Sequence, residues 1–369
     1  MSDKKVKVGV VGCGNISGIY LQNLTKRFKN VEVVACMDLI RERAENRANE
    51  FGVPKVYDVE EFYKVPEIEL VVNLTTPQSH TEVDTLSLNA GKHVYSEKPF
   101  GLNVAEGKKV IELAKSKGLL VGCAPETFLG GGIQMCYKLI KEGWIGRPVA
   151  TTAFMMGHGH ESWHPDPEFY YEKGGGPMFD MGPYYLTALV SMLGPVSKVA
   201  GATSISFPTR TITSEKKYGK VIEVEVPTYV TGSLTFKSGA IGTIITTFDT
   251  WDSHLPNIEI YGSEGSLKVP DPNTFGGPVL YKKPGMREWK EIPILFSYQE
   301  NSRGIGVSDM ANSIMNKRTH RAHGDMAFHV LDIMCAIHDS NDEEKVITLN
   351  SDFESPAIFP VGLVDGYLD

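Results

Sequence analysis

Cysteine is scarce and unpatterned in this chain. Five of its 369 residues are cysteines (Cys13, Cys36, Cys123, Cys136 and Cys335), with no C-x-x-C pair. An odd, scattered set excludes a disulfide framework and a cysteine zinc site, and it predicts small buried hydrophobes in a reduced, cytoplasmic setting. No apolar run reaches the ~18 residues that a membrane-crossing helix needs. Basic tracts are missing too: lysine and arginine are dispersed, and the net charge is −8. That balance argues against nucleic-acid and anionic-membrane partners. Met1-Ser-Asp-Lys-Lys leads straight into the first predicted strand, which leaves no room for a signal peptide. Internal repeats, low-complexity segments and long linkers are absent. The length predicts two domains with sizeable cores.

What the chain does have begins at its start. Val6 to Val11 is an apolar run of the kind that makes a strand buried on both faces. Gly12, Gly14 and Gly18 follow, and then a helical pattern through Ile19, Leu21 and Leu24. Strand, glycine turn and helix in that order gather backbone N–H groups and a helix N-terminus at one point, which favours a pyrophosphate. In the G-x-G-x-x-G dinucleotide fingerprint the third position is here Ser17, a small residue that still allows close packing. The next strand, Val31 to Asp38, ends in an acid 20 residues after Gly18, where a carboxylate would hold the adenosine ribose. Leu39 after it favours NAD, while Arg41 leaves NADP open. The blander reading is a ligand-free strand–helix–strand unit in which Asp38 only caps the next helix.

Strands and helices keep alternating up to about residue 125. Strands are predicted at Val56-Tyr57, Glu69 to Thr75, His93 to Glu97 and Leu119 to Cys123, with helices at Arg41 to Phe51, Asp58 to Tyr63 (capped by Asp58), after Pro77 and at Val104 to Lys117. Six strands in this grammar predict a doubly wound parallel sheet, an α/β Rossmann domain over residues 1–125, with ligands beyond the carboxyl ends of the strands. Thr75-Thr76-Pro77 and Glu97-Lys98-Pro99 fall at two such ends.

Residues 126–369 change pattern. Strands follow one another with few helices between, which predicts a large open, mainly antiparallel sheet. One face would pack on helices at Pro177 to Leu193, Val307 to Asn316 and Gly324 to Asp339. The other would be free to pair with a second subunit. Gly174-Gly-Gly-Pro-Met-Phe-Asp180-Met-Gly-Pro-Tyr184 carries the chemistry of this domain. On one helix, Asp180 and Tyr184 would share a face. An aspartate on an otherwise apolar helix is costly to bury without a partner. Asp180 as a core hydrogen-bonding group with Tyr184 as packing fits the spacing equally well.

Taken together, the glycine turn, Glu97-Lys98-Pro99 and Gly174-Gly-Gly…Asp180-x-Gly182 resemble the Gfo/Idh/MocA family of sugar and inositol dehydrogenases. The resemblance spans essentially the whole chain. It implies an NAD(P)-binding Rossmann domain, with the cofactor held by Gly12, Gly14, Asn15, Ile16, Asp38, Thr75, Thr76, Pro77, His80, Glu97 and Lys98. It further implies a sugar, polyol or glycoside between the domains, catalysis by Lys98, Asp180 and Tyr184, and a homodimer or homotetramer built through the second sheet. Many family members have a histidine four residues after the aspartate, and a second aspartate three further on. Here those positions are Tyr184 and Thr187, which is similar to the glucose–fructose oxidoreductase and dihydrodiol dehydrogenase branches and puts an inositol dehydrogenase assignment in doubt. A free tyrosine has a pKa of about 10. Lys98 beside it would favour the phenolate and lower that value.

Substrate contacts are expected from Lys98, Asp180, Tyr184, Trp163, His164 and His329. The loop Gly157-His-Gly-His160…Trp163-His164 offers both ring faces and donors suited to sugars. Its H-x-H pair also matches metal-ligand spacing, but metal binding is the lesser reading and no metal is assigned. His329 lies within an apolar helical pattern and reads equally as a core histidine, as His80 reads equally as a cap. Two rival functions remain beside the dehydrogenase: a redox-neutral NAD-dependent glycosidase, and a catalytically inactive nucleotide-sensing protein.

Overall fold

A computed structural model describes residues 4–369. The apolar runs of the first part form six strands: β1 Val6–Val11, β2 Val31–Met37, β3 Lys55–Val56, β4 Leu70–Asn73, β5 His93–Ser96 and β6 Val121–Cys123. They pair in parallel in the order β3-β2-β1-β4-β5-β6. All four residues of β4 and five of six in β1 are buried, as expected for strands covered by helices on both faces. The chain builds outward from β1 to β3, then returns to lay β4 on the other side of β1. That reversal opens a crevice beyond the carboxyl ends of β1 and β4. Gly12 follows β1 and Thr75 lies just past β4, so both motifs border the crevice.

The second unit is a nine-stranded sheet. Its strands are β7 Pro148–Met156, β8 Val196–Ser204, β11 Tyr229–Phe236, β12 Ile241–Thr247, β13 Ile258–Gly262, β14 Ser266–Val269, β15 Val279–Lys282, β16 Lys290–Ile292 and β17 Ile347–Thr348, while β9 Thr209–Thr211 and β10 Val221–Glu223 form a separate hairpin. The order is β16-β15-β14-β13-β7-β12-β11-β8-β17; β7 and β12 run parallel, and the other pairs are antiparallel. Burial alternates along β11 and β12 because one face lies under helices. The helix Gly324–Asp342 comes so close to that face that a Cβ on Gly201 would lie 2.3 Å from the Ile337 carbonyl oxygen.

The strands of the first sheet end at Cys123 and those of the second begin at Pro148, but the chain later crosses back. Asn30 of the first unit donates to Ser308 O (2.8 Å) and Asn312 Oδ1 (2.7 Å) of the helix Ile305–Asn316. Arg27 pairs with Asp365 at 2.7 Å.

Two local expectations fail. The helix expected over 177–193 is broken into Gly176–Asp180 and Gly182–Leu193, with Met181 at the joint. Pro183 at the start of the second helix has no N–H to donate back, and its ring conflicts with a continuous helix. Asp180 and Tyr184 therefore sit on two short helices rather than on one face of a single helix. Asp58 also does not cap the helix Val59–Phe62 with its side chain; its carboxylate is bonded by Arg41 instead.

Candidate active site

The cofactor crevice is built from the glycine turn outward. Gly12 has φ +90°, and a Cβ there would stand 2.6 Å from the backbone of Leu74. Only glycine lets the β1 turn seat this tightly against the β4 loop. A Cβ on Gly14, by contrast, would meet nothing within 4 Å, so the turn opens onto free room at the N-terminus of the helix Ser17–Lys26. No side chain caps that helix end, and of its first N–H groups Gly18 N donates to Asn15 O at 3.3 Å. Ser17 does more than fit: its hydroxyl donates to Gly14 O at 2.6 Å and closes the turn.

Asp38 lies beside this room. Its oxygens accept from Cys13 N and Ile40 N, both at 2.8 Å. Each carboxylate oxygen keeps a second lone pair for a ribose hydroxyl. Arg41 is committed to Glu45 (2.8 Å) and Asp58 (2.7 Å), so its charge is already engaged. An open cradle at a helix N-terminus with an oriented acid beside it fits NAD.

Thr76 is exposed on the β4 loop with extended backbone, and Thr75 is anchored through Asn73 Oδ1, 2.7 Å from its hydroxyl. Glu97 lies at the end of β5, nearly buried. One of its oxygens accepts from Tyr20 OH (2.7 Å) and the other from Lys98 N (3.0 Å), so it ties the first helix to the Lys98-Pro99 turn.

Lys98 reaches from that turn into the second unit. Its Nζ donates to Asp180 O at 2.6 Å and to Asp180 Oδ1 at 2.9 Å, with both side chains mostly buried. It also stands 5.3 Å from the centroid of the Tyr184 ring. Lysine, aspartate and tyrosine thus meet at one end of the crevice. A fourth group joins them: His160, whose Nε2 lies 3.3 Å from Asp180 Oδ2.

The charges of the cluster follow from this geometry. Burial alone would depress the Lys98 ammonium, but Asp180, helped by Tyr184, outweighs it and holds the lysine above its ordinary pKa. Burial likewise works against the Asp180 carboxylate, yet Lys98 and the His160 hydrogen bond outweigh it and keep the acid well below the usual carboxylate range. Tyr184 goes the other way from expectation. Burial raises its phenol above the ordinary value, and the opposing pull of Lys98 does not overcome that. The free site therefore holds a cationic lysine, an anionic aspartate and a neutral tyrosine at neutral pH.

Some expected residues lie elsewhere or act differently. His80 is 1% exposed, with its ring nitrogens 2.9 Å from Pro99 O and 3.0 Å from Thr75 O, so it ties the two loops together rather than facing the crevice. His329 is fully buried; its Nε2 accepts from Val196 N at 2.9 Å, and Nδ1 meets Ser351 Oγ at 2.6 Å. It is a core histidine. Trp163 and His164 do join the cluster's outer side, with Trp163 5.3 Å from the His160 ring and His164 5.4 Å from the Tyr170 ring. Among the described residues no three His, Cys, Asp or Glu side chains converge as metal ligands would.

Sequence reasoning did not assign His160 or Arg303 to the site. The H-x-H pattern drew attention to His160 for metal binding, but nothing in the spacing pointed to Asp180. Arg303, whose positive charge acts on Tyr184 against the effect of burial, bonds Asn273 and Asn301, both at 3.0 Å, and carries no sequence signal at all.

Comparison with known proteins agrees with this architecture. Residues 6–124 match the family model described as an oxidoreductase family with an NAD-binding Rossmann fold, and residues 133–268 match the GFO/IDH/MocA C-terminal domain. Myo-inositol 2-dehydrogenase of Thermotoga maritima is 25% identical over 71% of this chain and 74% of its own length. The 1,5-anhydro-D-fructose reductase of Ensifer adhaerens is 28% identical over 75% and 77%. The crystal structure of an NAD binding oxidoreductase from Klebsiella pneumoniae superposes with a TM-score of 0.81 at 19% identity, covering 94% of this chain and all of the other, which establishes the shared fold.

Proposed function

The chain belongs to the Gfo/Idh/MocA oxidoreductase family, and from that premise we propose that it moves hydride between NAD and a secondary alcohol carbon of a sugar, polyol or glycoside. The observation that carries this reading is the Lys98–Asp180 bond, which joins the two units at the mouth of the crevice with Tyr184 alongside. The names of the relatives support the substrate class, since an inositol and an anhydro-keto sugar are both hydroxylated rings.

When bound, NAD would supply the hydride acceptor, and NADH the hydride donor for the reverse direction. The protein's task is the proton. Two of the three Lys98 N–H bonds go to Asp180, which leaves the third for the substrate oxygen. Asp180 fixes where that donor points. Tyr184 and Lys98 share the proton that leaves the hydroxyl on oxidation, or that the new alcohol gains on reduction. His160, paired with the other oxygen of Asp180, holds the carboxylate from turning.

The charge states carry a sign. A neutral Tyr184 and a cationic Lys98 are already proton donors, and both stay so below their raised pKa values. Keto-sugar reduction is therefore expected to be flat from about pH 6 to about pH 9. Oxidation needs one of these groups to lose its proton first, so its kcat/KM should rise through the same window, by up to about tenfold per pH unit. Initial rates in both directions across that range check it; oxidation that falls with rising pH would contradict the assignment.

The direct test of the function is absorbance at the reduced-nicotinamide band, with purified protein, NAD and a panel of sugars, polyols and glycosides. A rise with one class supports the reading. Release of nitrophenol from a nitrophenyl glycoside without net NADH would replace it with redox-neutral hydrolysis. NAD binding without reaction in either direction would leave the sensing reading.

Self-association belongs to the same proposal. Ile241, Ile245 and Phe154 line the outer face of the second sheet, and Ile241 is exposed. A second copy of this face would cover them. Light scattering is expected to give at least a dimer, and Ile241→Lys to weaken it; a monomer at micromolar concentration would overturn the expectation.

A further inference from the structure

Outward from Asp180 the site does not end at a smooth wall. His160 stacks flat on Tyr170 (3.7 Å between centroids, 8°) and meets the edge of Phe248 at 4.8 Å. Beyond it Trp163 is 62% exposed, and Phe169, 4.0 Å from Tyr170, is 40% exposed. On the same loop His158 stacks on Trp251 at 3.3 Å, and Trp251 is 83% exposed. Three large aromatic side chains held in solvent around one loop leave unburied the surface that such residues normally hide.

The loop that carries them is not loose. Arg210, almost fully buried, bonds Glu161 Oε1 at 3.0 Å and His158 O at 3.4 Å, and it pairs with Asp249 on its other side. Thr213 N and Ser214 N both donate to Glu161 O (2.9 and 3.0 Å), and Ser214 Oγ donates to His164 O at 2.7 Å. Asp166 is held by Lys216 (2.7 Å) and Lys217 (2.9 Å). The Trp163 ring is thus presented by a braced backbone, at the start of a ring-to-ring path of one intermediate, His160, from the catalytic carboxylate. His158 Nδ1 and His160 Nδ1 are buried beneath these rings and have no hydrogen-bond partner among the described residues. Exposed ring faces next to the polar Lys98–Asp180–His160 cluster suit a ring that is apolar on its faces and polar at its edge.

We propose that Trp163, with His160 and Phe169 around it, forms a second subsite for the aglycone ring of a glycoside, so that the substrate carries two rings: one reacting at Lys98 and the other resting on Trp163. This rests on the function proposed above and deepens it. A pre-positioned platform loses little freedom on binding, so the second ring adds to transition-state binding through fixed orientation of the first.

The test pairs methyl and phenyl D-glucopyranosides and D-galactopyranosides, both anomers, with cellobiose and maltose as two-sugar probes. Turnover is read as NADH formation, and binding to the NAD-loaded protein as quenching of tryptophan fluorescence and by calorimetry. For one sugar series, the two-ring compound is expected to show at least a tenfold higher kcat/KM and tighter binding than its methyl counterpart. Trp163→Ala should lower kcat/KM for the two-ring compound at least tenfold more than for its methyl counterpart, and Trp163→Phe should keep most of the gap. Equal values for one-ring and two-ring compounds, or equal losses for both in Trp163→Ala, overturn the subsite, as does failure of every probe to bind. A binding gap at Trp163 without hydride transfer would uphold the subsite and overturn the dehydrogenase.

Discussion

Lys98→Met is expected to lower kcat by roughly three orders of magnitude while NAD titrates nearly as in the parent protein. Methionine has almost the length of lysine and no charge, so the crevice keeps its shape and the substrate oxygen loses its donor. A second consequence separates this residue from a merely structural one. Asp180 is mostly buried, and its anionic form is held by Lys98 first and by the His160 hydrogen bond next. Removing the cation leaves a buried carboxylate short of a partner, which costs about 3–5 kcal/mol in comparable sites. The methionine variant should therefore melt earlier as well as turn over slowly. Adding Asp180→Asn should restore much of the melting temperature and none of the rate. Rate measurements, fluorescence titration of NAD and a thermal melt on the single and double variants check all three. Near-parental turnover in Lys98→Met would remove the lysine from the mechanism.

The other large effect is expected at the glycine turn, where two nearby glycines should fail differently. Gly12→Ala places a methyl group 2.6 Å from Leu74 C and O and 2.8 Å from Thr75 N, on a residue whose φ is +90°. These neighbours are backbone at the end of a buried strand, so they cannot turn aside as a side chain could. The left-handed conformation adds about 1–2 kcal/mol for any residue with a Cβ. The β1 turn must lift away from the β4 loop, and both the melting temperature and NAD affinity should fall together. Gly14→Ala meets nothing within 4 Å in the protein itself. It should fold with an unchanged melt and still bind NAD at least tenfold more weakly, because the methyl group occupies the room assigned to the pyrophosphate. If Gly14→Ala binds NAD normally, the cofactor does not use that cradle.

Much of this site could be read before the fold was known, and the reasons are local. Parallel strands buried on both faces must be apolar throughout, so β1 and β4 announce themselves as runs. A glycine turn between strand and helix points firmly to a dinucleotide when an acid follows at the right offset. Lys98, Asp180 and Tyr184 were legible because each sits inside a short motif. What was not legible depends on through-space relations. Pro183 was in plain view, yet the helical pattern runs across it, and the break at Met181 emerges only when the chain is packed. His160 carried the signature of a metal ligand, and its pairing with Asp180 is made by a loop fold that no spacing encodes. Arg303 comes from the far end of the chain. The tyrosine's proton affinity was misjudged in sign because a neighbouring charge can be inferred from a motif, whereas the depth of burial that opposes it cannot.

The Lys98–Asp180 bond also has a mechanical consequence, apart from the proton transfer proposed for it. The lysine stands on the end of a strand in one sheet, and the aspartate on a short helix over the other. Their 2.9 Å separation is therefore also a gauge of how the two halves of the molecule are seated. Such a hydrogen bond is kept over only about half an ångström, roughly 2.7–3.2 Å, so a small shift of one body against the other is enough to loosen it. Substitutions at distant crossings, such as Arg27 with Asp365 or Asn30 with Asn312, then have a route to slow turnover without touching either ligand. The enzyme's rate becomes a reading of its own assembly tolerance, set by contacts more numerous than the catalytic groups and placed well away from them.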